Sequence, residues 1–246
     1  MYQLIHADPP WRYSDRNENR GGASRHYNTM SLKDMKAMNV AELAAPTSVL
    51  WMWTTAPQLP DSLELMKAWG FNYRTIGFVW VKRSPQHWRN VSDRLRKRLR
   101  AHLADQQGVS LPKLRHSSVR ATQALDFLTP DLIADVSKDF WHWGQGHYTR
   151  SNAEIVLVGV RGKGRVLSRL DKGVHQVLED LVQEHSAKPE EVYQRLDRLY
   201  GDVKRLDMFT RRNRPGWSAL GDQVARTDYV IDPDTMKIVR REDFAP

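Results

Sequence analysis

The chain of 246 residues contains no cysteine. It therefore has no disulfide, no thiol nucleophile and no cysteine-ligated metal site, which suits a reducing cytoplasm. It also lacks an apolar run of the roughly 18 residues that a membrane span needs, and its first residues do not show the pattern of a secretory signal. We expect a cytoplasmic protein with no membrane partner, built as one large domain or as a domain with an insertion.

Acidic residues are few beside the basic ones, with 29 Asp and Glu against 38 Lys and Arg. The formal net charge is +9. A balance this basic indicates a polyanionic partner such as a nucleic acid, because cations that neutralise phosphates release the condensed counterions. The alternative is a basic surface that serves only solubility.

A short apolar run, residues 2–7, opens the chain and is followed by Asp8, Pro9, Pro10 and Trp11. The run is too short for a helix and predicts a buried strand of a parallel sheet. The two prolines end the strand, because proline has no N–H to donate to a neighbouring strand. Ligands of open α/β sheets bind at the carboxyl ends of the strands, so these four residues are our candidate catalytic residues.

The chemistry that suits this tetrapeptide is reaction at an amine conjugated to a heterocyclic ring. Such an amine is a poor nucleophile, since its lone pair is delocalised into the ring. The Asp8 carboxylate and the Pro9 carbonyl are two acceptors for its two hydrogens, and together they would draw the lone pair back to nitrogen. Trp11 offers a face on which a base can stack, a contact worth about 1–3 kcal/mol. The alternative is a strand-ending turn with a buried tryptophan.

The following segments alternate between strand and helix patterns. Residues 48–53 and 74–81 predict two further buried strands, and a helix between them spans about residues 57–69. The predicted apolar stripe of this helix consists of Leu59, Leu63 and Met66. Strand, helix and strand joined by short links are typical of a βαβ unit, so we expect an α/β fold with a mostly parallel sheet flanked by helices.

Residues 84–143 have a different, basic and helical pattern. One short segment concentrates five cations: Arg94, Arg96, Lys97, Arg98 and Arg100. A second helix-like stretch spans residues 111–127, so the pattern is compatible with a helix-turn-helix, although any helical hairpin looks the same. We expect this insertion to contact nucleic acid through the five cations. The alternative is a solvated helix that only packs on the domain.

The remaining third of the chain again predicts strands and a helix. Residues 155–160 and 205–209 are apolar runs that predict strands. Pro189 suits the start of a helix that ends at Gly201. After residue 227 we expect a β-hairpin.

A series of motifs along the chain resembles a known family. They are Asp8-Pro9-Pro10-Trp11 and residues 27–31, 146–154, 185–193, 209–212, 215–217 and 220–223. In this order and spacing they resemble the MT-A70 family of S-adenosylmethionine-dependent adenine-N6 methyltransferases, and the bacterial and phage DNA-modifying branch is most similar. The resemblance covers most of residues 1–83 and 144–224.

The resemblance implies a Rossmann-like methyltransferase fold in permuted order, with the catalytic strand before the cofactor-binding strand. The core would comprise residues 1–83 and 144–224, with residues 84–143 as an inserted target-recognition element and residues 225–246 as a tail. Residues 205–209 would be the cofactor-binding strand. Thr210 and Arg211 follow it where many methyltransferases have a glycine loop.

The resemblance also implies roles for individual residues. S-adenosylmethionine, which leaves as S-adenosylhomocysteine, would be bound by Ala7, Asp8, Lys188, Arg211, Asn213, Asp222 and Gln223. Asp222 stands where the family often has asparagine. The target base would be bound by Tyr27, Lys82, Arg150, Asn152 and Glu154. No metal is implied.

The function that follows is transfer of a methyl group to N6 of adenine in DNA. The target base would leave the stack and enter the pocket at residues 8–11. RNA is the alternative substrate, cytosine N4 is the alternative amine, and a catalytically inactive nucleic-acid-binding homologue is the alternative from another class. We expect a monomer or homodimer in the cytoplasm of a bacterium or a phage-infected cell.

Overall fold

The computed structural model describes residues 1–12, 29–106, 129–137, 140–144, 146, 148–162, 167–182 and 187–244. The chain divides into two compact units. The first unit comprises Met1–Trp80, Ala153–Leu178 and Lys188–Pro246, and the second comprises Val81–Asn152 and Glu179–Ala187.

One sheet contains the strands, in the order β5-β3-β4-β2-β1-β6-β7-β8-β9. The strands are β1 (Tyr2–Ala7), β2 (Ala44–Thr54), β3 (Asn72–Arg83), β4 (Ala153–Arg161), β5 (Val177–Leu181), β6 (Arg205–Met208), β7 (Trp217–Leu220), β8 (Tyr229–Ile231) and β9 (Ile238–Arg240). The α-helices are α1 (Leu32–Ala37), α2 (Val40–Leu43), α3 (Leu59–Ala68), α4 (His87–Gln106), α5 (Pro130–Ser137) and α6 (Glu190–Tyr200). Two 3-10 turns span Ala56–Gln58 and Arg241–Asp243. The predicted α/β class, with a mostly parallel sheet flanked by helices, is confirmed.

The centre of the sheet is parallel, and its register aligns the strand ends. β1 runs parallel to β2 and β6, and its last residue, Ala7, pairs with Met52 on one side and Met208 on the other. β6 runs parallel to β7, where Met208 pairs with Leu220. The residues that follow β1, β6 and β7 therefore emerge at the same edge of the sheet, the carboxyl edge.

Alternate residues of the central strands enter two different cores, as the two-residue period of a strand requires. Ile5 and Ala7 pack with residues of α1 and α3 such as Met35 and Met66. Leu4 packs in the other core with Val192 and further residues of α6. Both faces of β1 are thus buried, which explains why apolar residues occupy the successive positions Leu4 and Ile5.

β4 differs from the simple βαβ prediction. It lies between β2 and β3 in the sheet, and it runs antiparallel to β2 with Thr54 opposite Ile155. β2 and β3 are therefore not neighbours, although α3 links them in sequence. Because β4 is antiparallel, its first residues lie at the carboxyl edge, and Glu154 arrives there beside the end of β2.

The predicted apolar stripe of α3 is wrong at Leu63, which is 37% exposed, whereas Leu65 and Met66 are fully buried. Ser62 takes a buried position on this helix. Its hydroxyl can be buried because it bonds to the Gln58 carbonyl at 2.7 Å and to the Thr54 hydroxyl at 2.6 Å.

The C-terminal elements agree with the sequence. α6 buries Val192, Leu196 and Leu199, and it ends before Gly201, whose φ of 62° is in the left-handed region that glycine tolerates. β8 and β9 form the predicted antiparallel hairpin. β8 also pairs with β7, so the hairpin extends the sheet.

In the second unit, α4 confirms the first helix of the basic segment. Its residues Val91 and Leu95 pack on Leu132 and Val136 of α5. The predicted second helix, residues 111–127, lies outside the described residues. Over the described parts of the chain, the helices are all too short or too polar to cross a membrane.

We predict that Gly77→Ala lowers the free energy of unfolding by about 1–3 kcal/mol, because the core has no room for the methyl group. A Cβ at Gly77 would lie 2.2 Å from the Trp51 ring and 2.5 Å from Val158 Cγ2. The measurement is the urea midpoint at constant m-value. The matched control is Gly173→Ala, which is exposed and whose new Cβ would lie 3.3 Å from the flexible Asp171 carboxylate. Equal midpoints for the two variants would contradict the packing argument.

Candidate active site

Asp8 is the first residue beyond β1 at the carboxyl edge, and its backbone is held in place by neighbouring segments. Its N–H donates to the Met208 carbonyl at 3.2 Å. The Pro9 carbonyl accepts the Trp11 N–H at 2.9 Å, and the Pro10 carbonyl accepts the Met30 N–H at 3.0 Å. The tetrapeptide is therefore a fixed turn.

Lys188 joins two carboxylates at this edge. Its ammonium lies 3.1 Å from Asp8 Oδ1 and 3.0 Å from Glu154 Oε2. The side chains are 10% exposed for Lys188, 24% for Asp8 and 14% for Glu154. The ammonium also lies 5.2 Å from the centre of the Trp53 ring, within the range of a cation–π contact. We refer to Asp8, Lys188 and Glu154 as the edge cluster.

The charges of the edge cluster shift two pKa values. Burial raises the pKa of Asp8, and the nearby Glu154 carboxylate raises it further, while Lys188 opposes both. For Lys188, burial acts to lower the pKa, but the Asp8 and Glu154 carboxylates outweigh it and raise the pKa above its usual value. Lys188 therefore stays an ammonium group between the two acids. The contact of Lys188 with Asp8 is made to Oδ1, so this contact leaves Oδ2 as a second acceptor.

Trp11 belongs to the hydrophobic core and is 5% exposed. Its indole N–H donates to the Trp53 carbonyl at 3.3 Å. In this conformation the ring offers almost no free face, so stacking of a base on Trp11 stays a prediction that the geometry does not favour. The Pro9 carbonyl keeps one lone pair, because the Trp11 N–H uses only the other.

A buried polar chain, which the sequence analysis missed, lies behind the edge cluster. The Trp53 indole N–H donates to Nε2 of His6 at 2.8 Å, and Nδ1 of His6 lies 2.7 Å from Asp207 Oδ1. An indole nitrogen can only donate, so Nε2 carries no proton and the Nδ1–H donates to Asp207. The signal in the sequence was a histidine inside an otherwise apolar strand.

Arg214 continues this chain of polar contacts and was also missed. It lies between the motifs at residues 209–212 and 215–217. Its Nη1 lies 3.0 Å from Asp207 Oδ2, and its Nη2 lies 3.1 Å from Glu190 Oε2. Its guanidinium carbon lies 3.4 Å from the centre of the Tyr193 ring. Burial raises the pKa of Tyr193 well above its usual value, as does the Asp207 carboxylate, so Tyr193 stays protonated.

The residues expected to hold S-adenosylmethionine lie on segments that meet at the carboxyl edge. Arg211 and Asn213 follow β6, and the exposed Asp222 and Gln223 follow β7. The Asn213 amide donates to the Arg226 carbonyl and its oxygen accepts the Arg226 N–H, so Asn213 braces the two loops. Ala7 is fully buried at the end of β1. An ammonium, a guanidinium, a carboxylate and an amide at one edge fit a ligand with carboxylate, amino and hydroxyl groups.

The residues expected on the side of the target base are divided between the two units. Glu154 belongs to the edge cluster, and Tyr27 lies outside the described residues. The other three belong to the second unit, where the Lys82 N–H donates to the Asn152 carbonyl at 2.7 Å. The Arg150 guanidinium lies 5.0 Å from the centre of the Trp143 ring, whose side chain is 73% exposed.

The cations of α4 do not share one environment. Arg98 pairs with Asp135 of α5 at 2.6 Å, and Arg96 lies 3.5 Å from Asp93. Arg94 is half-buried, whereas Lys97 and Arg100 are exposed. Of the five predicted phosphate contacts, Arg98 is thus engaged with α5 and Arg94 is half-buried, whereas Arg96, Lys97 and Arg100 are exposed and do not contact α5 in the described contacts.

Comparison with known proteins identifies relatives that match most of the chain. It is 27% identical over 240 residues to the Type II methyltransferase M.MunI of Mycoplasma sp, a match that covers 91% of this chain and 78% of that protein. It is 22% identical over 200 residues to the N(6)-adenosine-methyltransferase MT-A70-like of Arabidopsis thaliana, covering 80% of this chain and 21% of that protein. It is 22% identical over 213 residues to the N(6)-adenosine-methyltransferase catalytic subunit METTL3 of Homo sapiens, a match that covers 85% of this chain and 27% of that protein.

The chain thus spans most of the Mycoplasma relative but only about a fifth to a quarter of these two eukaryotic ones. The sequence model of the MT-A70 family matches residues 2–102 and 133–223. These ranges make up most of the chain and include the whole edge cluster. This confirms the resemblance that the motifs indicated. The chain belongs to the MT-A70 family of methyltransferases, whose members generally use S-adenosylmethionine as the methyl donor.

Proposed function

We propose that the protein transfers the methyl group of S-adenosylmethionine to N6 of adenine in DNA. The observation that carries the proposal is the geometry at Asp8: Lys188 holds one carboxylate oxygen, while the other oxygen and a lone pair of the Pro9 carbonyl stay available. Two acceptors on one rigid turn suit the two hydrogens of an exocyclic amine.

The bound methyl donor supplies an electrophilic methyl group on a sulfonium sulfur. Asp8 and Pro9 accept the N6 hydrogens and so direct the nitrogen lone pair out of the ring. Transfer would form the nitrogen–carbon bond and break the sulfur–carbon bond, and the Asp8 carboxylate would stabilise the positive charge that develops on nitrogen. The proton of the methylated nitrogen would pass to solvent, and S-adenosylhomocysteine would leave as the neutral thioether. Most of the acceleration comes from holding the reacting atoms in line at short distance.

The relatives bear on the choice of substrate. A Type II methyltransferase matches over most of both chains, which favours DNA. The names of the eukaryotic relatives specify N(6)-adenosine, which favours adenine N6 as the reacting amine and makes RNA the alternative substrate. An inactive homologue is disfavoured, because Asp8 and Pro9 both keep acceptor capacity.

We predict N6-methyladenine as the product when the protein is incubated with labelled donor and DNA. The assay compares duplex DNA, single-stranded DNA and RNA, and the methylated nucleoside is identified by mass spectrometry. Asp8→Asn is expected to lower the rate by about 10²–10³-fold or more, because the carboxylate no longer stabilises the developing charge. Methylated cytosine, or transfer to RNA alone, would contradict the proposal.

The matched control for this variant is Asp234→Asn, which changes an exposed acid in the turn between β8 and β9. It is expected to keep the wild-type rate. A wild-type rate of turnover in Asp8→Asn would contradict the catalytic role proposed for Asp8.

We predict that methyl transfer is lost on acidification at a higher pH than for an ordinary aspartate. Transfer needs the ionised Asp8 carboxylate, and burial raises the pKa of Asp8. Lys188→Gln removes the cation that opposes this rise, so the acidic limb of the kcat profile is expected to move to still higher pH. Lys67→Gln, an exposed change on α3, is the control. An acidic limb that stays in place in Lys188→Gln would contradict this role for the ion pair.

A nucleic-acid contact surface is proposed on α4. At 100° per residue, Arg89, Arg96, Lys97 and Arg100 lie on one exposed face of about 17 Å length, opposite the apolar Val91 and Leu95. Asp93 is the acid on this face and pairs with Arg96. We name the four cations the α4 basic face. A row of cations of this length suits successive phosphates of a nucleic-acid backbone.

We predict that Lys97→Gln combined with Arg100→Gln reduces the slope of log affinity against log salt by about 1–2 units, because two fewer phosphates are neutralised. The measurement is fluorescence anisotropy with labelled DNA at several salt concentrations. Arg98→Gln is the matched control, since Arg98 pairs with Asp135 and is expected to change stability but leave the slope alone. Equal slopes for the double variant and the wild type would show that Lys97 and Arg100 do not contact phosphates, and α4 would then have only a structural role.

A further inference from the structure

Arg214 joins three segments of the first unit. Its Nε and Nη2 both bond to the Glu190 carboxylate at the start of α6, at 3.2 and 3.1 Å. Its Nη1 bonds to Asp207 at 3.0 Å and lies 3.3 Å from the Thr210 hydroxyl and 3.4 Å from the Arg212 carbonyl. All three guanidinium nitrogens are thus engaged within the protein, so Arg214 is placed to hold its neighbours and not to contact a ligand.

The loop that Arg214 holds begins in an unfavourable conformation. Phe209 has φ of 61°, in the left-handed region that a bulky side chain rarely adopts. The next residue, Thr210, donates its N–H to the Leu220 carbonyl at 3.1 Å. A Cβ at Gly221 would lie 2.0 Å from the Thr210 carbonyl, so the segments after β6 and β7 touch backbone to backbone. Such a conformation persists only where surrounding contacts determine it.

The same contacts reach the edge cluster from behind. Asp207, which binds Arg214, also accepts the Nδ1–H of His6, two residues before Asp8. Glu190, the other partner of Arg214, lies two residues after Lys188. Arg214 therefore links the loop after β6 to the segments that carry two members of the edge cluster, Asp8 and Lys188.

We propose that Arg214 is a positioning residue that holds the segment 209–213 in the shape that binds the methyl donor. The proposal rests on the assignment of Arg211 and the carboxyl edge to donor binding, made above. Without Arg214 the strained loop would populate other conformations. Donor affinity falls in proportion to the fraction of molecules that keep the competent loop.

The test is Arg214→Gln, with calorimetric titration of S-adenosylhomocysteine as the probe. We expect the affinity to fall about tenfold, corresponding to a competent fraction of about a tenth. In the methyl-transfer assay, the KM for S-adenosylmethionine rises by a similar factor, while the KM for nucleic acid and the kcat at saturating donor stay near wild type. A purely structural role would not separate the two KM values.

Arg205→Gln is the matched control. Arg205 lies at the opposite end of β6, pairs with Asp197, faces the Trp217 ring at 5.7 Å, and has a side chain 11% exposed against 12% for Arg214. It is expected to lower the thermal midpoint without changing donor affinity. Equal affinities in Arg214→Gln, Arg205→Gln and wild type would overturn the proposal.

Glu190→Gln provides a second variant if Arg214→Gln does not fold, since it weakens the same contact from an exposed side chain. A smaller loss of S-adenosylhomocysteine affinity supports the proposal, and an unchanged affinity overturns it. Because the titration needs no nucleic acid, it stays informative if adenine methylation is not observed. In that case the proposed function fails, whereas a tenfold effect in the titration still supports the role of Arg214.

Discussion

The ammonium of Lys188 between the carboxylates of Asp8 and Glu154 is the interaction on which the site depends. Two buried carboxylates at one edge of a sheet would repel each other, and one of them would take up a proton. A cation within 3.1 Å of both carboxylates opposes the rise in the pKa of Asp8 that burial and Glu154 cause. Its contact with Asp8 is made to one of the two carboxylate oxygens. A buried ion pair is costly unless its geometry is good, and this one lies where the proposed reaction needs a carboxylate.

Buried polar groups lie behind the edge cluster, and hydrogen bonds among them explain why the core can contain them. His6, Asp207 and Trp53 are almost completely buried, yet each polar group has a partner. Unpaired polar groups in a low-dielectric core are expensive, whereas a fully bonded network is rigid. The buried polar chain runs from Trp53 on β2 through His6 on β1 to Asp207 on β6. Arg214 then connects it to Glu190 at the start of α6. The segments that carry Asp8 and Lys188 are therefore joined by one connected set of hydrogen bonds.

The two units divide the properties of the chain between them. The first unit holds the parallel strands, the edge cluster and the buried polar chain. The second unit holds α4, which is apolar on the face toward α5 and basic on the opposite face. The proposed chemistry needs a buried, fixed geometry and is assigned to the sheet, whereas the proposed phosphate contacts are assigned to the exposed α4 basic face.

Several local elements and the position of Asp8 followed from the sequence alone, whereas β5, β7 and α5 were not predicted. The apolar run before Asp8-Pro9-Pro10-Trp11, the buried face of α6 and the β8–β9 hairpin each depend on periodicity or on proline and glycine within a few residues. Such signals are short in range, so they were readable without a fold. The error at Leu63 shows their limit, because both Leu63 and Leu65 are apolar and only packing against the sheet decides which is buried.

The partners of Asp8 were decided only by the tertiary structure. Lys188 and Glu154 lie far from Asp8 in sequence. Hydrophobic periodicity predicts local helices and strands, but it does not predict contacts between residues that are so far apart in the chain. Motif resemblance had named both residues, but not that they meet in one cluster. The insertion of β4 as an antiparallel strand beside β2 places Glu154 at the carboxyl edge, and the register of β1 with β6 brings His6 to Asp207. The pairing of strands that are distant in sequence determines these contacts of Glu154 and His6. Strand pairing depends on the whole sheet and not on any short segment of the sequence.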